Sequence, residues 1–318
     1  VNVMVNNSHW SRVAESGTVI GMQILLFCYR VFGRWAFRLC LFPVMTYYYL
    51  TRREARKASQ HYLSRLTETY PDLGRLSSFK HFLMFADILL DKLLAWMGRI
   101  QLKDVRFHSD GQFEAAIEQK QGGIIVVSHL GNTEVCNALA HQQPNLKLTL
   151  LVYTQHAEKF NALMKKVGNT TQVKMYQVTD MSPAFAMMMA ERVEAGEFLV
   201  IAGDRTPVTG QQRVSEVTFL GEQAALPQGA FLLASLLKCP VYLMFCLKQD
   251  KMYHIYTELF SEKLSFTRQQ RQALLTNTVQ QYTDRLAHYC HIAPLQWFNF
   301  YPFWQKMTPQ TQQTEEKQ

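Results

Sequence analysis

"GGIIVVSHLGNTEV", residues 122–135, is the stretch on which the fold turns. Ile124 to Val127 form an apolar run without alternation, the pattern of a strand covered on both faces. His129 follows at once, and Gly131 and Asn132 supply a sharp turn and a helix cap. A helical pattern then covers about 132–142. The stretch therefore reads as a buried strand passing directly into a helix. The runs "LKLTLLVYT", "VKMYQVT", "EFLVIAGD" and "PVYLMFCLK" repeat the strand signal, with helical patterns at about 157–167, 183–195 and 228–238 between them. Ser182-Pro183 marks one helix start. This alternation predicts an α/β fold with a mostly parallel central sheet flanked by helices.

Upstream the texture differs. Residues 17–50 are the most apolar part of the chain, yet arginines divide them into uncharged runs too short for a simple membrane span. Arg30, Arg34 and Arg38 share one helical face, Trp35 and Tyr47 to Tyr49 are amphipathic rings, and "TRREARK" follows as a basic cluster. The expectation is an apolar, amphipathic N-terminal helical region over residues 1–100 that associates with an anionic membrane surface, a shallow anchor being favoured over a span, with a helical hairpin buried against the rest of the protein as the alternative. An α/β catalytic domain over 101–304 and a disordered tail over 305–318 complete the organisation.

The net charge of +8 favours an anionic partner: anionic lipid, an acidic carrier protein or nucleic acid. No RNA-recognition or zinc-finger pattern is present, so a nucleic-acid partner is not expected. Six cysteines without C-x-x-C spacing read as reduced, buried thiols. The first residues carry no secretory-signal pattern, which points to the cytoplasmic side.

His129 with Glu134 is the one His-x4-Asp/Glu match, and roughly 0.8 such matches arise by chance in this composition, so spacing alone decides nothing. Position does more. A residue just past a parallel strand stands at the carboxyl edge of the sheet, where open α/β sheets hold ligands. Glu134 in the first helical turn is expected to orient the imidazole, making His129 a general base. Asp204 and Arg205 follow another apolar strand and should reach the same edge. His288 and His291 have no metal-ligand partner at suitable spacing and read as structural; neither a metal nor a cofactor is expected.

"SHLGNTE" resembles the H-x4-[DE] block of the lysophospholipid and lipid A acyltransferase superfamily. "FLGEQAALPQGAFLLASLLKCPVYLMFC" and "LQWFNFYPFW" resemble later blocks of the late lipid A acyltransferases. The resemblance implies acyl transfer from an acyl-carrier protein or acyl-CoA thioester to a lipid or glycolipid hydroxyl or amine. It places that reaction at the cytoplasmic face of a bacterial inner membrane. By the same resemblance His129 is the base, Glu134 its partner and Asp204 a site residue; from their places at the turn and the strand end, Gly131, Asn132 and Arg205 join Asp204 as candidate substrate-binding residues. Backbone N–H groups near Gly131 would stabilise the oxyanion. Two departures bear on the acceptor: Thr154 and Gln155 stand where the family usually has an arginine, and "GDRTPV" is not its double-aspartate form. A silent membrane-surface binding protein and an acyl thioesterase are the alternatives.

Overall fold

The apolar run at 124–127 is indeed a central strand in a computed structural model of the chain. The structure describes residues 19–140, 143, 145–152, 173–177, 182–205, 213–267 and 269–304. The expected helix at 157–167, Thr154 and Gln155, and the tail from 305 lie outside them, as do the side chains of Cys28, Arg30 and Arg34.

The strands are β1 (Val105–Ser109), β2 (Gly123–Val127), β3 (Lys147–Val152), β4 (Val173–Gln177), β5 (Glu197–Ala202), β6 (Val214–Phe219), β7 (Glu222–Pro227), β8 (Val241–Gln249) and β9 (Met252–Ser261). Seven of them form one sheet in the order β1-β9-β8-β2-β5-β3-β4. Every neighbouring pair is parallel except β8 with β9. The strand runs of the sequence are β2, β3, β4, β5 and β8. β1 and β9, at the other end of the sheet, went unread: four of the five β1 residues are exposed, and β9 alternates buried with half-buried positions. Neither has the continuous apolar pattern of a strand buried on both faces. β6 and β7 form a separate hairpin whose turn, Leu220-Gly221, has positive φ at both positions, as a type I′ turn requires.

The helices are α1 (Val19–Thr51), α2 (Arg53–Thr69), α3 (Ser78–Trp96), α4 (Gln112–Glu118), α5 (Thr133–Ala140), α6 (Pro183–Glu194), α7 (Gly229–Leu237) and α8 (Arg271–Ile292). α1 breaks at Gly33, whose φ of 78° is left-handed. α6 begins as the sequence suggests, with Ser182 Oγ accepting the Phe185 N–H at 3.2 Å.

The sheet is covered on both faces. Ile124 and Val126 of β2 join a cluster with Tyr62, Leu63 and Leu66 of α2, Phe231 of α7, Tyr282 of α8 and Trp297. Ile125 points the other way, into a cluster with Phe37, Leu41 and Met45 of α1, Phe82 and Leu90 of α3, and Val135 of α5. Both clusters draw on residues before and after position 100. The opposite face of α1 leaves Trp35, Leu39, Phe42, Tyr47 and Leu50 exposed. Among the described residues no helix is long and apolar enough to cross a membrane.

Candidate active site

The site grows out of strand register. β2 and β5 run side by side in parallel with Val127 opposite Ala202. Two residues further on, both chains have left the sheet at its carboxyl edge, and the same offset sets His129 beside Asp204. His129 Nδ1 lies 2.8 Å from Asp204 Oδ1. The His129 backbone N–H donates to Asp204 Oδ2 at 2.8 Å, and the indole N–H of Trp297 donates to the same oxygen at 3.0 Å. Asp204 is fully buried, whereas 35% of the His129 side chain is open to solvent. One side of the imidazole is therefore fixed to a carboxylate, and part of the ring stays open to solvent.

Electrostatics fit a neutral imidazole on an ionised carboxylate. Burial and the nearby Arg205 charge hold the His129 pKa below its ordinary value; Asp204 opposes them without reversing the sign. For Asp204, burial pushes the pKa up, but His129 and Arg205 together bring it below the usual carboxylate value. With Asp204 ionised, Nδ1 carries the hydrogen and donates, which leaves Nε2 as the proton acceptor.

Glu134 is not the carboxylate on the imidazole. It sits on the second residue of α5 and contacts α3 and its own helix: Lys92 Nζ lies 3.1 Å away and Asn137 Nδ2 donates to it at 3.3 Å. The carboxylate that reaches His129 comes instead from the neighbouring strand end. Asn132 departs from expectation too. It is buried, and its Nδ2 points to Tyr253 Oη at 3.4 Å and the Ile88 carbonyl at 3.5 Å. It therefore braces the helix start against α3 and β9.

Gly131 is required where it stands. Its φ is +76°, and a Cβ there would lie 2.0 Å from the Cys246 carbonyl oxygen. This close approach consumes the turn's amides. Gly131 N–H donates to the Gln296 carbonyl and Asn132 N–H to the Cys246 carbonyl, each at 2.8 Å, while Leu130 N–H donates to Ser128 Oγ at 3.3 Å. The backbone donors expected to serve an oxyanion already have protein partners. Arg205 turns into the closing segment, where its Nη2 donates to the Phe298 carbonyl at 3.0 Å and its guanidinium lies over Tyr301.

A second polar cluster lies behind the turn. Lys248 Nζ sits 2.5 Å from Asp87 and 2.6 Å from Asp91, Tyr253 donates to Asp91 at 2.6 Å, and Arg38 pairs with Asp87 at 3.0 Å. Asp87 and Asp91, four apart in an apolar helix, were the readable signal for it. His291 packs on Tyr70 and pairs with Asp72 at 2.6 Å, a structural role. Cys239, Cys246 and Cys290 are buried thiols, but Cys136 is half-buried and Cys40 exposed, contrary to expectation. Among the described residues no three His, Cys, Asp or Glu side chains are grouped to hold a metal.

Fold and site define a class: an α/β protein with a histidine–carboxylate pair at the carboxyl edge of a largely parallel sheet. Residues 95–306, more than half of the chain, match the family model of the bacterial lipid A biosynthesis acyltransferases. The chain belongs to that family and is an acyltransferase. No curated protein matches it.

Proposed function

We propose that the protein transfers a fatty acyl group from an acyl thioester to a hydroxyl or amine of a membrane lipid or glycolipid. The donor is acyl-carrier protein or acyl-CoA, and the site of action is the cytoplasmic face of a bacterial inner membrane. The His129–Asp204 pair carries this reading. In it, Nε2 takes the proton of the acceptor, whose oxygen or nitrogen attacks the thioester carbonyl; Asp204 stabilises the imidazolium that forms. Collapse of the tetrahedral adduct breaks the C–S bond, and the imidazolium returns the proton to the departing thiolate. Charge developing on the carbonyl oxygen falls in the field of Arg205 and Lys92, the two cations that act on His129. Glu134 keeps a place in the site as the carboxylate that holds Lys92 there.

The exposed apolar face of α1 and the basic residues after it support membrane attachment. The family supports a lipid A-like acceptor. Purified protein, labelled acyl-carrier protein and a lipid extract from a strain lacking the enzyme test the reading. Transfer of label to a lipid, lost in a folded His129→Ala variant, is the expected result. Wild-type turnover in that variant would sink the mechanism, and release of free fatty acid alone would make the protein a thioesterase.

A further inference from the structure

We infer that Trp297 is a positioning residue for the reaction, acting through Asp204; the inference rests on the proposed role of the His129–Asp204 pair. The geometry is specific. Asp204 Oδ1 faces the imidazole, and its other oxygen, Oδ2, is held by two donors: the His129 backbone N–H at 2.8 Å and the Trp297 indole N–H at 3.0 Å. A carboxylate gripped at one oxygen cannot rotate, so the second stays aimed at Nδ1. The indole is itself immobile. Trp297 is fully buried, with Tyr62 and Phe303 at ring-centroid distances of 4.9 Å and Phe219 at 5.1 Å.

The backbone around Trp297 is tied to the same turn. Phe298 N–H donates to the His129 carbonyl at 3.0 Å, Gly131 N–H donates to Gln296, and Leu130 and Trp297 form an antiparallel bridge. The Trp297 carbonyl faces His81 Nε2 at 3.0 Å. The closing segment thus reaches the pair from 168 residues away, delivering one hydrogen-bond donor at a fixed place.

The indole N–H stabilises the ionised carboxylate, so its loss favours protonation of the pair as a unit. Trp297→Phe, which keeps a ring and removes the donor, should move the acid limb of kcat/KM and the imidazole titration of His129 to higher pH by about one unit. It should also lower kcat by about ten- to a hundred-fold, the worth of one hydrogen bond to a charged group, with KM little changed. The titration is read by NMR with labelled histidine, the His129 signal being assigned by its absence in His129→Ala.

Phe219→Leu is the control: it trims the wall of the same indole pocket and touches no hydrogen bond of the pair. It should lower thermal stability and leave the pH profile in place. If Trp297→Phe does not fold, benzothienylalanine at position 297 replaces the N–H with sulfur in the same shape. Wild-type titration and pH profile in a folded variant overturn the inference. An equal shift in Phe219→Leu overturns it too, by assigning the effect to packing. If the His129 titration moves but His129→Ala still turns over normally, the indole's hold on Asp204 is real but the catalytic reading falls, and the role of Trp297 in the reaction falls with it.

Discussion

The proton affinity of His129 is set by neighbours of opposite sign. Burial and Arg205 lower it, and Asp204 raises it. A base must be neutral to act, so activity is present above the folded-state pKa and lost as pH falls through it. That pKa is depressed, so the acid limb of kcat/KM should inflect below 6.5. The two neighbours can be separated. Asp204→Asn removes the raising charge and should move the limb lower, while cutting kcat by about 10²–10⁴ because the tautomer is no longer enforced. Arg205→Met removes the opposing cation and should move the limb higher. Movement of both variants in the same direction would contradict this account. The His129–Asp204 contact was only half legible. The sequence put both residues at one edge of the sheet, but the five-residue spacing drew attention to Glu134. A partner 75 residues away becomes visible only when the register of β2 against β5 is known.

At the scale of elements, α2, α3 and the closing segment meet at His81. This imidazole is fully buried, with Nδ1 2.9 Å from Ser59 Oγ and Nε2 3.0 Å from the Trp297 carbonyl. Burial lowers its pKa from 6.5 to about 4. A base with a depressed folded pKa contributes stability above its unfolded value, and that stability is lost as pH falls from about 6.5 to about 4. The loss should approach roughly 3 kcal/mol. A denaturant series at pH 7 and pH 4.5 should show a smaller acid loss for His81→Gln than for wild type. The end of α1 supports a second expectation. Arg56 Nη1 donates to the Tyr49 carbonyl at 2.6 Å and so finishes the helix, while Arg52, Arg53 and Lys57 are exposed. Replacing those three with glutamine should weaken binding to anionic vesicles about a hundred-fold, at about 1 kcal/mol each, and leave binding to neutral vesicles unchanged. Sedimentation with the two vesicle types measures both.

Across the whole molecule, the N-terminal helices and the sheet are joined by the Asp87–Lys248–Asp91 cluster, in which Lys248 is 10% exposed and Asp91 is fully buried. Lys248→Met would remove the cation that Asp87 and Asp91 share, leaving Asp87 its Arg38 pair and Asp91 its Tyr253 hydrogen bond, and should destabilise the fold by about 3 kcal/mol. A loss under 1 kcal/mol in chemical denaturation would mean that the cluster is solvated. The net charge of +8 acts at the same scale. If an acidic carrier protein is the donor, raising ionic strength should lower kcat/KM steeply with acyl-carrier protein and little with acyl-pantetheine, because salt screens over roughly 8–10 Å. Detergent-solubilised enzyme without anionic lipid separates this effect from membrane binding.

The sequence by itself determined what depends on local periodicity and composition: an α/β fold, a β2-to-helix turn carrying His129, the glycine at 131, and an amphipathic region before it. Those features are written in neighbouring residues, through two-sided burial of a strand, positive φ at one position and spacing along a helix. Only the tertiary structure decided which carboxylate meets the imidazole, that the turn's own amides already have protein partners, and that the Trp297 indole reaches Asp204. Each of these depends on the order and register of strands and on a segment returning from the far end of the chain. Such contacts are set by packing of the whole, and no pattern within a dozen residues encodes them.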